Sequence, residues 1–291
     1  MLYIKCFNSL KTFEFTVLGL ELDLILKINA LYLDVFCFLI DNFLKFIIMR
    51  VLAIIPARLN SSRLPGKVLE KIGNKSMLER VYDQAKKSSL ISEIVIATDN
   101  NDIEAEALRF GAKVYMSVCD HESGTSRCLE ASGNYEFDIL INIQGDEPFI
   151  SPKIIDELIS TLSKSDAMIA TVISPIKKAT DLFNPNVVKV VVNDHQDALL
   201  FSRQCIPFLR DEPKEEWYQK YTFYKHQGIY AFKKEGLSTI KYMIPSLLEK
   251  AESLEQLRWL DNGMAIKCII SLKDAIGVDT PEDLKAARKR V

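Results

Sequence analysis

Three cations and two serines lie within one short segment of the chain, residues 56–67, directly after an apolar run. Arg58 and Arg63 could bind phosphate oxygens through paired N–H groups, and Lys67 could act as a point charge on a leaving diphosphate. Backbone amides of such a loop add further donors. The segment does not have the G-x-x-x-x-G-K-[ST] spacing of a P-loop. Its composition predicts a phosphate-binding loop, and the alternative is a solvated basic turn.

The segments around this loop predict the elements that position it. Short runs rich in β-branched residues indicate buried strands, at 50–56, 93–97 and 138–144. Apolar residues at helical spacing indicate the intervening helices, at 77–89, 101–111 and 125–134. Strands and helices alternate as in a doubly wound α/β sheet, whose ligands bind at the carboxyl ends of the strands. We therefore expect the phosphate-binding loop at that edge of the sheet.

The second half of the chain continues the same pattern. Further strands are predicted at 167–173, 187–193 and 227–232, and further helices at 152–163 and 253–262. The sequence shows no internal repeat or long linker. We expect the second half to form a lobe continuous with the first, with the site in the cleft.

Composition limits the class of protein. With 291 residues, 48% of them hydrophobic and 26% charged, the chain can bury a substantial core. The net charge of −2 gives no overall basic field that would attract nucleic acid or an anionic membrane. The six cysteines form no C-x-x-C pair and only three histidines accompany them, so no zinc site is expected. This pattern favours a reducing cytoplasm.

Residues 1–48 differ from the rest of the chain. Asp34, Asp41 and Lys45 interrupt their most apolar stretch, which argues against a membrane-spanning helix and against stable membrane insertion. Glu14 and Glu21 likewise argue against a secretory signal. We expect an extension that is not part of the native protein, which would begin at residue 49. A membrane-surface amphipathic anchor is the alternative.

The segment IIPARLNSSRLPGK resembles the opening motif of the 3-deoxy-manno-octulosonate (Kdo) cytidylyltransferases, the CMP-Kdo synthetases. Other motifs of that family follow in chain order, so that the resemblance covers residues 49–291. They are ATD at 97–99, HESGT at 121–125, NIQGDEP at 142–148, FNPN at 183–186, FSR at 201–203, HQGIY at 226–230, LEQLR at 254–258 and GVDTPEDL at 277–284. Some of these motifs are ordinary turn sequences on their own, but their joint occurrence in order is specific.

The resemblance implies a fold and an activity. The fold is an α/β Rossmann-like nucleotidyltransferase of the nucleotide-diphospho-sugar transferase type, a mixed sheet flanked by helices with a smaller sugar-binding and dimerisation lobe. Within this fold, the implied nucleotide-binding half spans 49–150, and the implied sugar-binding and dimer half spans 151–270. The implied C-terminal metal-ligand loop and helix span 271–291. The implied reaction joins Kdo to CMP from CTP and releases diphosphate, for lipopolysaccharide biosynthesis in the cytoplasm. A homodimer is also implied, with no nucleic-acid partner.

Two aspartates are predicted to bind magnesium. Asp146 follows a strand expected to be buried, and Asp279 precedes the last predicted helix. Two carboxylates that meet over a triphosphate could hold Mg²⁺ together with phosphate oxygens and water, as the matching aspartates of the family do. The alternative is that Asp146 caps the helix at 152–163 or a turn, and that Asp279 is a helix N-cap.

The resemblance also assigns individual site residues. The nucleotide-binding set is Ala57, Arg58, Arg63, Lys67, Thr98, Asp99, Ser123, Gly124 and Asp146, of which Arg58, Arg63, Lys67 and Asp146 are predicted to be catalytic. The sugar-binding set is Gln144, Arg203, His226, Tyr230, Glu255 and Gln256, with Arg203 suited to the sugar carboxylate. Without the resemblance, Glu255 and Gln256 would be assigned to a solvated helix face. One position departs from the family, because Ser126 stands where an acidic residue is usual.

Two other functions stay open at this point. A sister enzyme for another acid sugar, such as a sialic acid or 8-amino-Kdo, would share the phosphate loop and the metal site. A catalytically silent nucleotide-binding protein could be built on the same fold. The intact charges of Asp146, Asp279, Arg58, Arg63 and Lys67 argue against silence.

Overall fold

The computed structural model describes residues 49–59, 64–121, 123–272 and 277–291. The chain divides into two units, Met1–Met49 and Arg50–Val291, and every described residue except Met49 belongs to the second. The predicted extension at 1–48 and the predicted phosphate ligand Arg63 lie outside the described residues.

One large sheet organises the second unit. The strands are β1 Val51–Pro56, β2 Lys71–Ile72, β3 Lys75–Ser76, β4 Glu93–Thr98, β5 Lys113–Met116, β6 Ile139–Asn142, β7 Ile169–Pro175, β8 Lys189–Val192, β9 Ala198–Ser202, β10 Tyr224–Lys233 and β11 Ile266–Ile270. The main sheet has the order β11-β7-β10-β6-β1-β4-β5, and β9 joins it through β8, which pairs with β10. β2 and β3 form a separate hairpin.

Helices connect the strands. They are α1 Met77–Ala85, α2 Asn101–Arg109, α3 Gly124–Ser132, α4 Pro152–Lys164, α5 Ala179–Leu182, α6 Trp217–Lys220, α7 Lys234–Ile240, α8 Leu247–Glu252, α9 Gln256–Asp261 and α10 Pro281–Arg288. Short 3-10 helices occupy Lys67–Leu69 and Lys214–Glu216. Because helices follow β1, β4 and β6, these strands can run in the same direction.

Strand direction shows why the sheet is mixed. β1 pairs in parallel with β4 and β6, β4 with β5, and β7 with β11. β10 lies between β6 and β7 and is antiparallel to both. The predicted mixed α/β sheet flanked by helices is therefore confirmed.

Burial explains why the central strands are apolar at consecutive positions. Ile54 and Ile55 point to opposite faces of β1, yet neither side chain is exposed. A strand covered on both faces reads as a continuous apolar run. Full burial of each such side chain contributes roughly 1.5–3 kcal/mol. This rigid strand fixes the point at which the phosphate-binding loop begins.

A smaller apolar cluster lies in the second half of the chain. Ile176, Leu182, Trp217 and Phe223 are buried together, separately from the main core around β6, β7 and β10. The Trp217 indole donates to the Glu212 carbonyl at 2.8 Å, which fixes the segment before α6. The second half thus has its own packing centre beside the shared sheet.

Most of the predicted elements are present, with shifted ends. β6 ends at Asn142 rather than at residue 144, so Gln144 lies in the turn beyond the strand. The sequence analysis did not identify β2, β3, β5, β9 or β11. Among the described residues, no helix is long and apolar enough to cross a membrane.

Candidate functional site

A cavity of about 210 Å³ opens at the carboxyl edge of the sheet. The parallel neighbours β1 and β6 both end there, so the segments that follow these two strands meet at the cavity. Predicted site residues line much of it, namely Ala57, Arg58, Lys67, Ser123, Gly124, Gln144, Asp146 and Asp279. The other lining residues are Pro56, Val68, His121, Arg127 and Gly145.

The predicted phosphate loop leaves β1 at this cavity. The Ala57 amide donates to the Ala97 carbonyl, near the end of β4, at 2.9 Å. This hydrogen bond fixes where the loop starts. Gly66 adopts a φ of 69°, a conformation that favours glycine, and its amide donates to the Leu59 carbonyl at 2.9 Å. Lys67 then begins a 3-10 helix, and both Arg58 and Lys67 line the cavity.

Lys67 holds two carboxylates together. Its Nζ atom lies 2.5 Å from Oδ2 of Asp146 and 2.7 Å from Oδ1 of Asp279. Burial opposes protonation of Lys67, but the charges and hydrogen bonds of the two aspartates outweigh it and raise the pKa of the ammonium group. Two carboxylates that are far apart in the sequence therefore converge on one cation.

Backbone contacts place these two aspartates. The Val278 amide donates to the Asp146 carbonyl at 2.9 Å and joins the two segments. Thr280, not Asp279, is the N-cap of α10, and Ser151 occupies the N-cap position of α4. The alternative that Asp146 and Asp279 serve as helix caps is wrong, because other residues hold those positions.

The aspartate pair fits a divalent cation. The Lys67 ammonium already stands as a cation between the two carboxylates, and carboxylate oxygens are what Mg²⁺ prefers, with phosphate oxygens and water completing its ligands. In the described part of the chain, no group of three or more His, Cys, Asp or Glu residues could hold a metal alone. The neighbouring Glu147 is buried, and this burial, with the charges of Asp146 and Asp279, raises its pKa to about 8.

The amino end of α3 forms another part of the cavity. The Ser123 hydroxyl accepts from the Ser126 amide at 3.1 Å, and Ser126 returns a hydrogen bond to the Ser123 backbone. The residue that departs from the family pattern thus completes a capping box. A Cβ added at Gly124 would lie 3.2 Å from the Pro56 ring. Glycine is therefore favoured here, because it lets the start of α3 approach Pro56 closely.

Asp99 is held by an arginine that the sequence analysis did not select. Nη2 of Arg127 lies 2.5 Å from Oδ2 of Asp99, and this hydrogen bond holds the pKa of Asp99 below its usual range. The buried Thr98 hydroxyl accepts from the Asn100 amide at 3.2 Å and shapes the turn. Arg127 lines the cavity, whereas Thr98 and Asp99 do not. The available signal was its position in the chain, because Arg127 lies two residues after the HESGT motif.

His121 is a second cavity residue outside the predicted set. Its Nε2 atom contacts the Glu130 carboxylate, which also accepts from the Val118 amide at 2.9 Å and the Tyr115 hydroxyl at 3.2 Å. These contacts fix the orientation of the imidazole ring. The HESGT motif contains His121, but its residue type alone does not distinguish a ligand contact from a structural role.

A hydrogen-bonded path links the nucleotide-binding and sugar-binding sets. The Ser123 hydroxyl donates to Oε1 of Glu255 at 3.0 Å, and burial raises the pKa of this carboxyl. Gln256 is buried and Glu255 is half-buried, so the alternative of a solvated helix face is wrong for this pair. Gln144 donates to Oδ1 of Asn142 at 3.2 Å, and Asn142 was not among the predicted residues.

His226 and Tyr230 lie on β10 within the sheet. The Thr171 hydroxyl donates to the Ile229 carbonyl at 2.8 Å, so it accepts from Nε2 of His226, 2.9 Å away. Burial lowers the pKa of His226 to about 3, so the ring is neutral at physiological pH. The Tyr230 hydroxyl is buried and has no hydrogen-bond partner among the described residues. This hydroxyl could accept a hydrogen bond from a polar ligand or donate one to it.

Arg203 lies outside the cavity lining. Its Nε donates to the Glu252 carbonyl at 2.6 Å, Nη1 to the Pro185 carbonyl at 3.1 Å and Nη2 to the Ser253 carbonyl at 3.3 Å. These bonds join the segment after β9 to the end of α8. Binding of a sugar carboxylate by Arg203 stays a prediction.

Known proteins are similar to this chain over most of its length. The Cytidylyltransferase family profile matches residues 52–266. The 3-deoxy-manno-octulosonate cytidylyltransferase of Cytophaga hutchinsonii is 48% identical over 237 residues, which are 80% of this chain and 94% of the relative. The protein of the same name from Bacteroides thetaiotaomicron is 45% identical over 246 residues, 83% of this chain and 98% of the relative.

A solved structure agrees with these relatives. CMP:2-keto-3-deoxy-manno-octonic acid synthetase complexed with CTP superposes with a TM-score of 0.78 at 40% identity, and the match covers 83% of this chain and 98% of the other. The fold and the extent of the sequence match agree with the resemblance to this family. The chain belongs to the 3-deoxy-manno-octulosonate cytidylyltransferase family.

Proposed function

We propose that this protein transfers CMP from CTP to the anomeric hydroxyl of Kdo, releasing diphosphate, with Mg²⁺ as cofactor. The observation that carries the proposal is the convergence of Asp146 and Asp279 on the Lys67 ammonium beside Arg58 in one cavity. This combination of cations and carboxylates suits a triphosphate and a divalent ion. The identity of the sugar, Kdo, is inferred from the names of the relatives.

The residues at this end of the cavity act on charge. The oxygens around the α-phosphorus repel an incoming hydroxyl, and Arg58 and Lys67 would neutralise part of that charge. As the hydroxyl oxygen attacks in line, its bond to the α-phosphorus forms while the bond to the diphosphate breaks, and the hydroxyl proton passes to solvent. Lys67 can stabilise the negative charge of the leaving group. Magnesium, held by Asp146 and Asp279, would neutralise and orient the phosphate oxygens. No covalent intermediate with the enzyme is needed.

The other residues orient the substrates. Ser123 and Gly124 present the amino end of α3 to the cavity, where a nucleotide can accept from backbone amides. Ser123 also bonds Glu255, so the nucleotide end and the sugar-binding set are held in one geometry. Such orientation can supply a large part of the rate enhancement.

Diphosphate release by the full chain tests the proposal. With CTP and Mg²⁺, we expect Kdo to give a higher kcat/KM than 8-amino-Kdo or sialic acid. A higher value with another acid sugar would keep the mechanism and change the substrate. Binding of CTP by calorimetry without turnover of any sugar would instead identify a silent nucleotide-binding protein. Reactions with EDTA serve as the control for the metal.

We also propose that the protein is a cytoplasmic homodimer that supplies CMP-Kdo for lipopolysaccharide synthesis. The free thiols Cys119, Cys128, Cys205 and Cys268 support a reducing compartment. Exposed apolar side chains around α8 support a dimer interface in the second half of the chain. Tyr242, Ile244 and Leu247 are each at least 80% exposed.

Light scattering after size-exclusion chromatography checks the dimer. We expect the mass of two chains for the wild type, and the mass of one chain for the double variant Ile244→Asp, Leu247→Asp, because two buried charges would oppose association. Leu108→Asp changes an exposed leucine on α2 and should remain dimeric. A monomeric wild type, or a double variant that still dimerises, would contradict the proposed interface.

A further inference from the structure

Arg127 is a buried cation at the cavity, and one of its donors has no acceptor among the described residues. It is the fourth residue of α3, only 4% exposed, and it lines the cavity. Nη2 is bound to Asp99, but Nη1 is buried without an acceptor among the described residues. A buried donor on a charged group is costly to leave unpaired. Within the described part of the chain, the cavity therefore contains a charged N–H group that has no acceptor.

The position of Arg127 separates it from the phosphate-binding cations. Its partner Asp99 directly follows β4, whereas the partner of Lys67, Asp146, lies in the turn after β6. β4 and β6 lie on opposite sides of β1. Two strand spacings amount to about 10 Å. A nucleotide that lies across the end of β1 would place its phosphates near Lys67 and its base near Arg127.

We propose that Arg127 reads the acceptor edge of the cytosine base and selects CTP over UTP. This inference rests on the proposed function and assigns the base specificity of the same site. Cytosine presents two neighbouring acceptors, N3 and O2, to which the guanidinium can donate. Uracil carries a hydrogen on N3, so that an N–H donor of Arg127 would face another donor.

Asp99 acts in this arrangement as a positioning residue. Its carboxylate holds Nη2, which fixes the plane of the guanidinium and leaves Nη1 for the base. A lysine at position 127 would keep the ion pair with Asp99 but has a single nitrogen. It cannot hold Asp99 and donate to the base with the same geometry.

The test compares CTP and UTP in the full chain. For Arg127→Lys and Arg127→Met, we expect kcat/KM for CTP to fall about 10- to 100-fold while kcat/KM for UTP changes less than about threefold. A purely structural role would lower both values together. Arg109→Met is the matched control, since Arg109 is an exposed arginine on α2 bound to Glu79 and Glu106, and its CTP to UTP ratio should equal that of the wild type.

A wild-type CTP to UTP ratio in both variants would overturn the inference and leave the proposed function intact. If the wild type shows no turnover, the proposed function fails instead. Calorimetric titration with CTP and UTP then still reports the effect of Arg127→Lys on base selection. The lysine variant keeps the charge on the buried ion pair, so it also answers the question if Arg127→Met does not fold.

Discussion

Replacing Asp146 by Asn is expected to lower kcat for CMP transfer about 1,000-fold or more while the fold stays intact. The change removes one of the two carboxylates that converge on the Lys67 ammonium and are proposed to bind Mg²⁺. A metal of this kind stabilises the transition state by several kcal/mol, and each factor of ten in rate corresponds to about 1.4 kcal/mol. Diphosphate release with CTP and Kdo at saturating Mg²⁺ measures the loss.

The fold should survive because the amide has the same shape as the carboxyl group. The backbone bond from the Val278 amide to the carbonyl of residue 146 is independent of the side chain. Asp166→Asn provides the control, since Asp166 is an exposed aspartate before β7, outside the cavity lining. Thermal unfolding and Mn²⁺ binding complete the comparison. A rate for Asp146→Asn close to that of Asp166→Asn would refute the metal-binding role of Asp146.

The sequence was sufficient for those parts of the site that local order determines. The run before residue 56 is apolar at every position because β1 is covered on both faces, and such a run is recognisable without a structure. Strand order then requires that the loop with Arg58 and Lys67 lies near Asp146, since β1 and β6 are parallel neighbours. Topology alone therefore brings these charges to one edge.

Contacts between distant segments could not be derived in this way. Lys67 and Asp279 are 212 residues apart, and only the family resemblance connected Asp279 with a metal. Arg127 lies on a helix where an arginine is usually solvated, so its burial depends on the packing of α3 against β1 and β4. The same reason applies to Gln256, whose burial depends on the position of α9.

Two of the strands that were not identified, β9 and β11, lack the usual sequence pattern of a strand. In β11, Lys267 interrupts an apolar run, and its ammonium pairs with Asp197 at 2.5 Å. β9 contains no β-branched residue, and its pairing with β8 forms it. The antiparallel direction of β10 also depends on tertiary structure, because no periodicity in the sequence distinguishes parallel from antiparallel pairing.

Replacing Lys67 by Met should have two opposite effects, a loss of turnover and a gain in metal binding. We expect kcat to fall about 100- to 1,000-fold, the usual result of removing one donor that stabilises transition-state charge. We also expect Mn²⁺ to bind about tenfold more tightly to the variant than to the wild type when CTP is absent. The second effect follows from the position of the Lys67 ammonium between Asp146 and Asp279.

In this position, Lys67 competes with a metal ion for the same carboxylate oxygens. Without the ammonium group, Lys67 would no longer compete for these oxygens, so the two carboxylates would attract Mn²⁺ more strongly. In the wild type, the triphosphate of CTP offers Lys67 another anionic partner. When the Lys67 ammonium moves to the triphosphate, it no longer occupies the oxygens of Asp146 and Asp279. CTP and the metal should therefore strengthen the binding of one another.

Electron paramagnetic resonance of Mn²⁺ with and without CTP separates the competition between Lys67 and the metal from the binding of Lys67 to the phosphates. For the wild type, we expect CTP to tighten Mn²⁺ binding more than it does for Lys67→Met, because only the wild type has a competing ammonium to displace. Lys71→Met, which alters an exposed lysine on β2, should match the wild type. If Lys67→Met binds Mn²⁺ no more tightly than the Lys71 control in the absence of CTP, Lys67 does not compete with the metal, and its contribution would be confined to the phosphates.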